Sequence, residues 1–112
     1  MKLNVDVLRL KDIIKSIDEI DSFVARSSLE DRMTQMAVAY EIAIMGEACN
    51  KLSLELTAQY PDIPWQGIIG MRHRIIHDYG NVSVSRLKEV VATHLPQLKK
   101  QILDILGNIE NA

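Results

Sequence analysis

A chain of 112 residues is sized for one folded domain spanning residues 1–112, with no room expected for a second, and its composition, 47% hydrophobic and 25% charged, argues against disorder. A formal net charge of -2 excludes attraction of nucleic acid by bulk electrostatics, so any RNA contact must come from a local basic patch. Arg72, His73 and Arg74 are the best candidates, with Arg86 and Lys88 close by in sequence. Cys49 is the only cysteine, so no intramolecular disulfide is possible; a lone thiol in an apolar helical stretch reads as a small core residue. Met1-Lys2-Leu3-Asn4-Val5-Asp6 lacks the basic and apolar regions of a signal peptide. No apolar run approaches the ~20 residues that span a bilayer, so a cytoplasmic location is expected.

In chain order, Leu3, Val7, Leu10, Ile14, Ile17 and Val24 recur at steps of three and four, interrupted at Asp21, and predict one face of an amphipathic first helix. Ser27 with Glu30, or Ser28 with Asp31, has capping-box spacing for the start of a second helix. That helix is predicted from about Leu29 to Gln59, roughly 45 Å long at 1.5 Å per residue. Its middle, from Met36 to Gly46, is apolar on nearly every side and must be covered on several faces, by neighbours or by a second subunit. Ala37, Ala39, Ala43, Gly46 and Ala48 permit close approach there. Tyr60-Pro61 ends it, because a residue before proline avoids the helical region.

A third helix is predicted from Pro64-Trp65, with proline at its first position, to a stop at Gly80-Asn81. Ser83 or Ser85 can cap a fourth, in which Val84, Leu87, Val91, Leu95, Leu98, Ile102, Ile105 and Ile109 keep helical spacing. Pro96 should kink or divide it, since proline loses one backbone bond and crowds the preceding turn. With no strand pattern or repeat, the expected fold is all-α, an up-and-down four-helix bundle.

Chemistry concentrates in Met71-Arg72-His73-Arg74-Ile75-Ile76-His77-Asp78-Tyr79. RNA cleavage needs a proton acceptor for the 2′-hydroxyl, which histidine supplies near neutral pH, and a cation for charge developing on the phosphate, which the planar guanidinium supplies. On one continuous helix Arg72 and His77 would lie about 140° apart, so long side chains, a loosened helix end or a partner subunit would be needed to aim both at one phosphate. The same residues admit a plainer reading, with Ile68, Ile69, Ile75 and Ile76 in the core and the charged residues merely solvated. His73 and His77 are spaced like a metal pair, but Arg74 stands where the H-E-x-x-H pattern has its glutamate and disfavours a cation. His94, beside Leu95-Pro96, reads as a packing or capping residue.

Read as Arg-x4-His-x-Tyr, the segment Arg72, His77, Tyr79 resembles the HepT-like branch of the HEPN (higher eukaryote and prokaryote nucleotide-binding) toxins. Asp31-Arg32-Met33-Thr34-Gln35-Met36-Ala37, Gly46-Glu47-Ala48, Ile63-Pro64-Trp65, Ile68-Ile69-Gly70-Met71-Arg72 and His94-Leu95-Pro96-Gln97-Leu98 follow the family in order, from about Leu8 to Ile102. The resemblance implies a homodimeric helical bundle with metal-independent endoribonuclease activity and no cofactor. Arg72 and His77 would be catalytic, and His73 would support the site. An MNT-type nucleotidyltransferase antitoxin would silence the toxin by AMPylation of Tyr79, adding bulk and negative charge beside the site. Tyr40 and Ala43 depart from the arginine and glutamate of many relatives, and Val82-Ser83-Val84 replaces a usual V-D segment. The alternative is a non-catalytic interaction module that binds a nucleotidyltransferase or a nucleotide.

Overall fold

The computed structural model describes residues 2–76 and 81–111, with side chains from Val5 onward. Helix α1 runs Lys2–Arg26, α2 Arg32–Asn50, α3 Leu54–Gln59, α4 Trp65–Ile69, α5 Met71–Ile75, α6 Val84–Glu89 and α7 Leu95–Glu110. A π-helical turn, Val90–His94, joins α6 to α7. The only β pairing among the described residues is an isolated antiparallel bridge between Ile76 and Val82. The fold is therefore all-α, as the periodicity predicts: three long rods (α1, α2 and the α6–π–α7 run) with the short helices α3, α4 and α5 between the second and the third.

α1 turns its core face slightly away from the predicted one. Leu10, Ile13, Ile17 and Ile20 are fully buried, while Val7, Ile14 and Val24 pack at the margin and Leu3 lies outside the described side chains. Two constraints set this rotation. α1 is covered from two sides, by α2 and α7. Its Asp6, only 4% exposed, also faces inward, where its carboxylate accepts the Ser53 backbone N–H at 2.9 Å and the Ser53 hydroxyl at 2.6 Å. A hydrophobicity pattern counts Asp6 as a surface residue. The tertiary bond makes it a buried one.

The second helix starts and stops differently from expectation. Its cap is Asp31 rather than Ser27 or Ser28: the Asp31 carboxylate accepts the Thr34 N–H at 3.0 Å and the Thr34 hydroxyl at 2.9 Å. Those bonds, the backbone one foremost, hold the Asp31 carboxyl below its ordinary range. At the other end, α2 stops at Asn50 because Ser53 takes an extended conformation and caps α3 by accepting the Leu56 N–H at 3.2 Å. The predicted single rod to Gln59 is thus two helices, and Tyr60-Pro61 ends the second of them. The apolar middle of α2 is covered on most of its circumference within the chain, by α1, α4, α5 and α6, while Tyr40 stays exposed. Gly46 is the point of closest approach: a Cβ there would lie 3.3 Å from the Ile68 carbonyl oxygen and 3.4 Å from that of Ile69.

The predicted third helix is also divided. α4 and α5 adjoin at Gly70, and α5 ends at Ile75, before the Gly80-Asn81 stop expected from sequence. Trp65 anchors the entry, its indole N–H donating to the Tyr60 carbonyl at 3.1 Å. Pro64 stands one position outside the helix, at its cap. Pro96 falls within the first turn of α7, where a missing N–H is tolerated. The expected irregularity in the last rod lies just before it, as the π turn in which the Leu95 N–H reaches back to the Val90 carbonyl.

Candidate active site

Every described part of the motif sits on or next to the short helix α5. Its buried side carries Ile75, 1% exposed, against the core beside α2. Arg72 and His73 face solvent, and neither side chain makes a hydrogen bond or ion pair with another described residue. An exposed guanidinium with no carboxylate partner keeps its five donors available to a phosphate.

α5 does not continue into the second half of the motif. Ile76 is extended, with φ -99° and ψ 118°, while its N–H still donates to the Arg72 carbonyl at 2.8 Å. The Ile76–Val82 bridge and the Ser83 N–H bond to the Ile75 carbonyl, 2.9 Å, then bring the two ends of the intervening segment side by side. The prediction that one helix carries both Arg72 and His77 is therefore corrected. The 140° separation computed for an unbroken helix does not apply, because the helix stops at Ile75. His77 and Tyr79 themselves, with Asp78, lie outside the described residues.

The wider basic patch read from sequence is split up by the fold. Arg74 points to the other side of α5, where its Nη2 donates to the Gly67 carbonyl at 2.9 Å. Lys88 is paired with Glu30 in the α1–α2 connection. Arg86 faces a cleft, of about 440 Å³, that it shares with Arg74 and that lies between α4–α5 and the α6–π–α7 rod. Sequence reasoning did not find this cleft, because its walls come from segments some twenty residues apart. His94, read as a packing or capping residue, is half exposed at the same cleft, with Nε2 3.2 Å from Glu89 Oε1. The residues that depart from the expected family pattern sit elsewhere: Tyr40, 64% exposed, borders a second, shallow groove between α1 and α2.

Other candidates take structural places. Cys49 is buried in the core, and burial pushes its thiol up to about 12, far from a nucleophile's range. Among the described residues, no three His, Cys, Asp or Glu side chains converge as a metal site. No helix among the described residues is long and apolar enough to cross a membrane.

Comparison with known proteins agrees with the family resemblance. The model of the "Ribonuclease HepT-like" family matches residues 13–105. A protein of Thermococcus cleftensis named "Probable ribonuclease HepT" is 34% identical over 94 residues, covering 80% of this chain and 86% of the relative. A Methanocaldococcus jannaschii protein named "Putative RNase" is 30% identical over 105 residues, covering 90% of this chain and 87% of the relative. Another from that organism, named "Gamma-glutamylcyclotransferase and putative RNase", is 33% identical over 105 residues, but the match spans 47% of its length. No solved structure matches significantly. The matched residues include the whole Arg72–Tyr79 segment and all of α2 to α6, and on that coverage the chain belongs to the ribonuclease HepT-like family.

Proposed function

We propose that this protein is a metal-independent endoribonuclease, the toxin of a toxin–antitoxin pair, acting through Arg72 and His77. The observation that carries the reading is the family match across the motif, joined to an exposed Arg72 with no partner among the described residues. The names of the relatives, ribonucleases in each case, support the same chemistry. His77 withdraws the proton from a 2′-hydroxyl of the RNA as that oxygen attacks the adjacent phosphorus. Arg72 binds the phosphate oxygens on which negative charge grows. The leaving 5′-oxygen takes a proton from water, to which His77 returns the one it withdrew, and the strand is cut to a 2′,3′-cyclic phosphate and a free 5′-hydroxyl. His73, exposed next to Arg72, supports the site by adding a donor for the same phosphate.

The chain acts as a homodimer in which two motifs meet. An MNT-type nucleotidyltransferase antitoxin silences it by placing AMP on Tyr79, where anionic bulk repels the RNA backbone. The test is growth after induction of wild type, Arg72→Ala, His77→Ala and Tyr79→Phe without a partner, followed by cleavage of purified RNA in EDTA. Wild type should arrest growth, and Arg72→Ala and His77→Ala should each lower the cleavage rate by about 100-fold or more. Tyr79→Phe should stay toxic when the nucleotidyltransferase is co-expressed. Equal growth of all four at equal soluble levels would overturn the ribonuclease reading and favour a non-catalytic interaction module.

A further inference from the structure

The 440 Å³ cleft behind α5 has a composition that the catalytic reading does not use. Around a helix, Met71, Arg74 and Ile75 fall within an arc of about 100°, while Arg72 and His73 project from the rest of the circumference. One short helix thus presents its catalytic arginine on one side and a wall of the cleft on the other. The two are separated by no more than the width of a helix, about 10–12 Å.

The floor of the cleft is apolar, built by Met71 and Ile75 of α5, Val90 of the π turn and Leu98 of α7. Its rim is cationic: Arg74, held against the Gly67 carbonyl, and Arg86, whose side chain bonds to no other described residue. Gln97 and Gln101, one turn apart on α7, add two amides that offer both donors and acceptors to the edge of a planar ring. Two carboxylates also reach the lining. Glu89 is engaged by His94, which leaves Asp62 as an acceptor suited to ribose hydroxyls. Apolar walls for a flat ring, amides for its edge, guanidinium groups for an anion and an acceptor for a sugar together specify a nucleotide. The volume is within the range of small-ligand sites. The wall formed by the π turn also has a physical logic, since its extra residue widens the rod locally and is a device found at ligand sites.

We infer that this cleft is a nucleotide subsite, which takes one unstacked nucleotide of single-stranded RNA, flanking the phosphate held by Arg72. The inference deepens the ribonuclease reading and rests on it for its biological substrate. A duplex cannot use the site, because its bases are stacked and paired, so the cleft makes the enzyme specific for loops and single strands. The base lies against Val90 and Leu98, and its phosphate is held by Arg86 with Arg74.

The experiment is titration of the isotope-labelled full chain with the four ribonucleoside 5′-monophosphates and with inorganic phosphate, read from backbone amide shifts, beside RNA cleavage assays. At least one monophosphate should bind more tightly than phosphate and move the amides of Arg74, Val90 and Gln101. Arg86→Gln and the double variant Gln97→Ala/Gln101→Ala, all at exposed or half-buried positions, should each weaken that binding about tenfold. Arg72→Ala should abolish cleavage and leave mononucleotide binding in place. Equal affinity for phosphate alone, shifts confined to other regions, or undiminished binding in both cleft variants would overturn the subsite. Nucleotide binding in the cleft without any RNA cleavage by wild type would remove the ribonuclease reading and leave the subsite standing. Cleavage without nucleotide binding there would remove the subsite alone.

Discussion

Cys49 illustrates how burial decides the chemistry of a residue. It lies on the core side of α2, 2% exposed, and its thiol is pushed up to about 12 because a thiolate there would lose its hydration with nothing in return. Since the ordinary value is 9.0, the reactive thiolate at pH 8 is roughly a thousandfold scarcer in the folded chain than in the unfolded one. Alkylation by iodoacetamide should therefore be negligible in native protein and prompt in guanidinium; native labelling at the denatured rate would mean that α2 is not packed as described. Arg72 is the opposite case. It is exposed and its side chain has no carboxylate partner among the described residues, a property of the fold that one sequence position does not reveal.

At the level of elements, the junction of α1 with the α2–α3 break is tied by one buried carboxylate. Asp6 accepts two bonds from Ser53, and Ser53 in turn caps α3. Asp6→Ala leaves both Ser53 donors unsatisfied in a part-buried place and should cost about 1–3 kcal/mol. For a domain of this size that lowers the melting temperature by several degrees. Thermal unfolding followed by circular dichroism measures it, and an unchanged midpoint would show that water replaces the carboxylate at no cost. The sequence announced the helices on both sides of this junction through their periodicity, yet the break itself was not legible. Nothing in the local pattern distinguishes a serine inside a long helix from one recruited as a cap by a residue 47 positions away.

For the molecule as a whole, α2 is the hub: α1, α4, α5 and α6 all pack on it. One stripe remains uncovered. Met33 is 81% exposed and Tyr40 64%, with half-buried Ala37 and Ile44 at the helical spacing between and beyond them. That stripe is apolar and supports the proposed homodimer, since a second copy would take it out of water. Sedimentation should give twice the 12.7 kDa chain mass at micromolar concentration, and Tyr40→Glu should shift the protein toward the single-chain mass. A single-chain mass for wild type would rule out the dimer and with it any sharing of motifs between subunits.

The sequence by itself determined the helical class, the approximate seats of most helices, the core role of Cys49 and the family to which the chain belongs. Each of these depends on local periodicity, composition or a short motif, which contiguous residues carry without reference to the rest of the chain. Tertiary structure decided the rotation of α1, the division of α2 from α3 and the end of α5 at Ile75, because each turns on a bond made outside the helix itself: Asp6 with Ser53, Ile76 with Val82. It also decided which cations share a surface. Arg72, Arg74 and Lys88 read as one patch along the chain, but a helix sends Arg72 and Arg74 to different sides and Glu30 claims Lys88. The cleft that Arg74 shares with Arg86 exists only because α5 packs beside the α6–π–α7 rod, a juxtaposition no sequence spacing encodes.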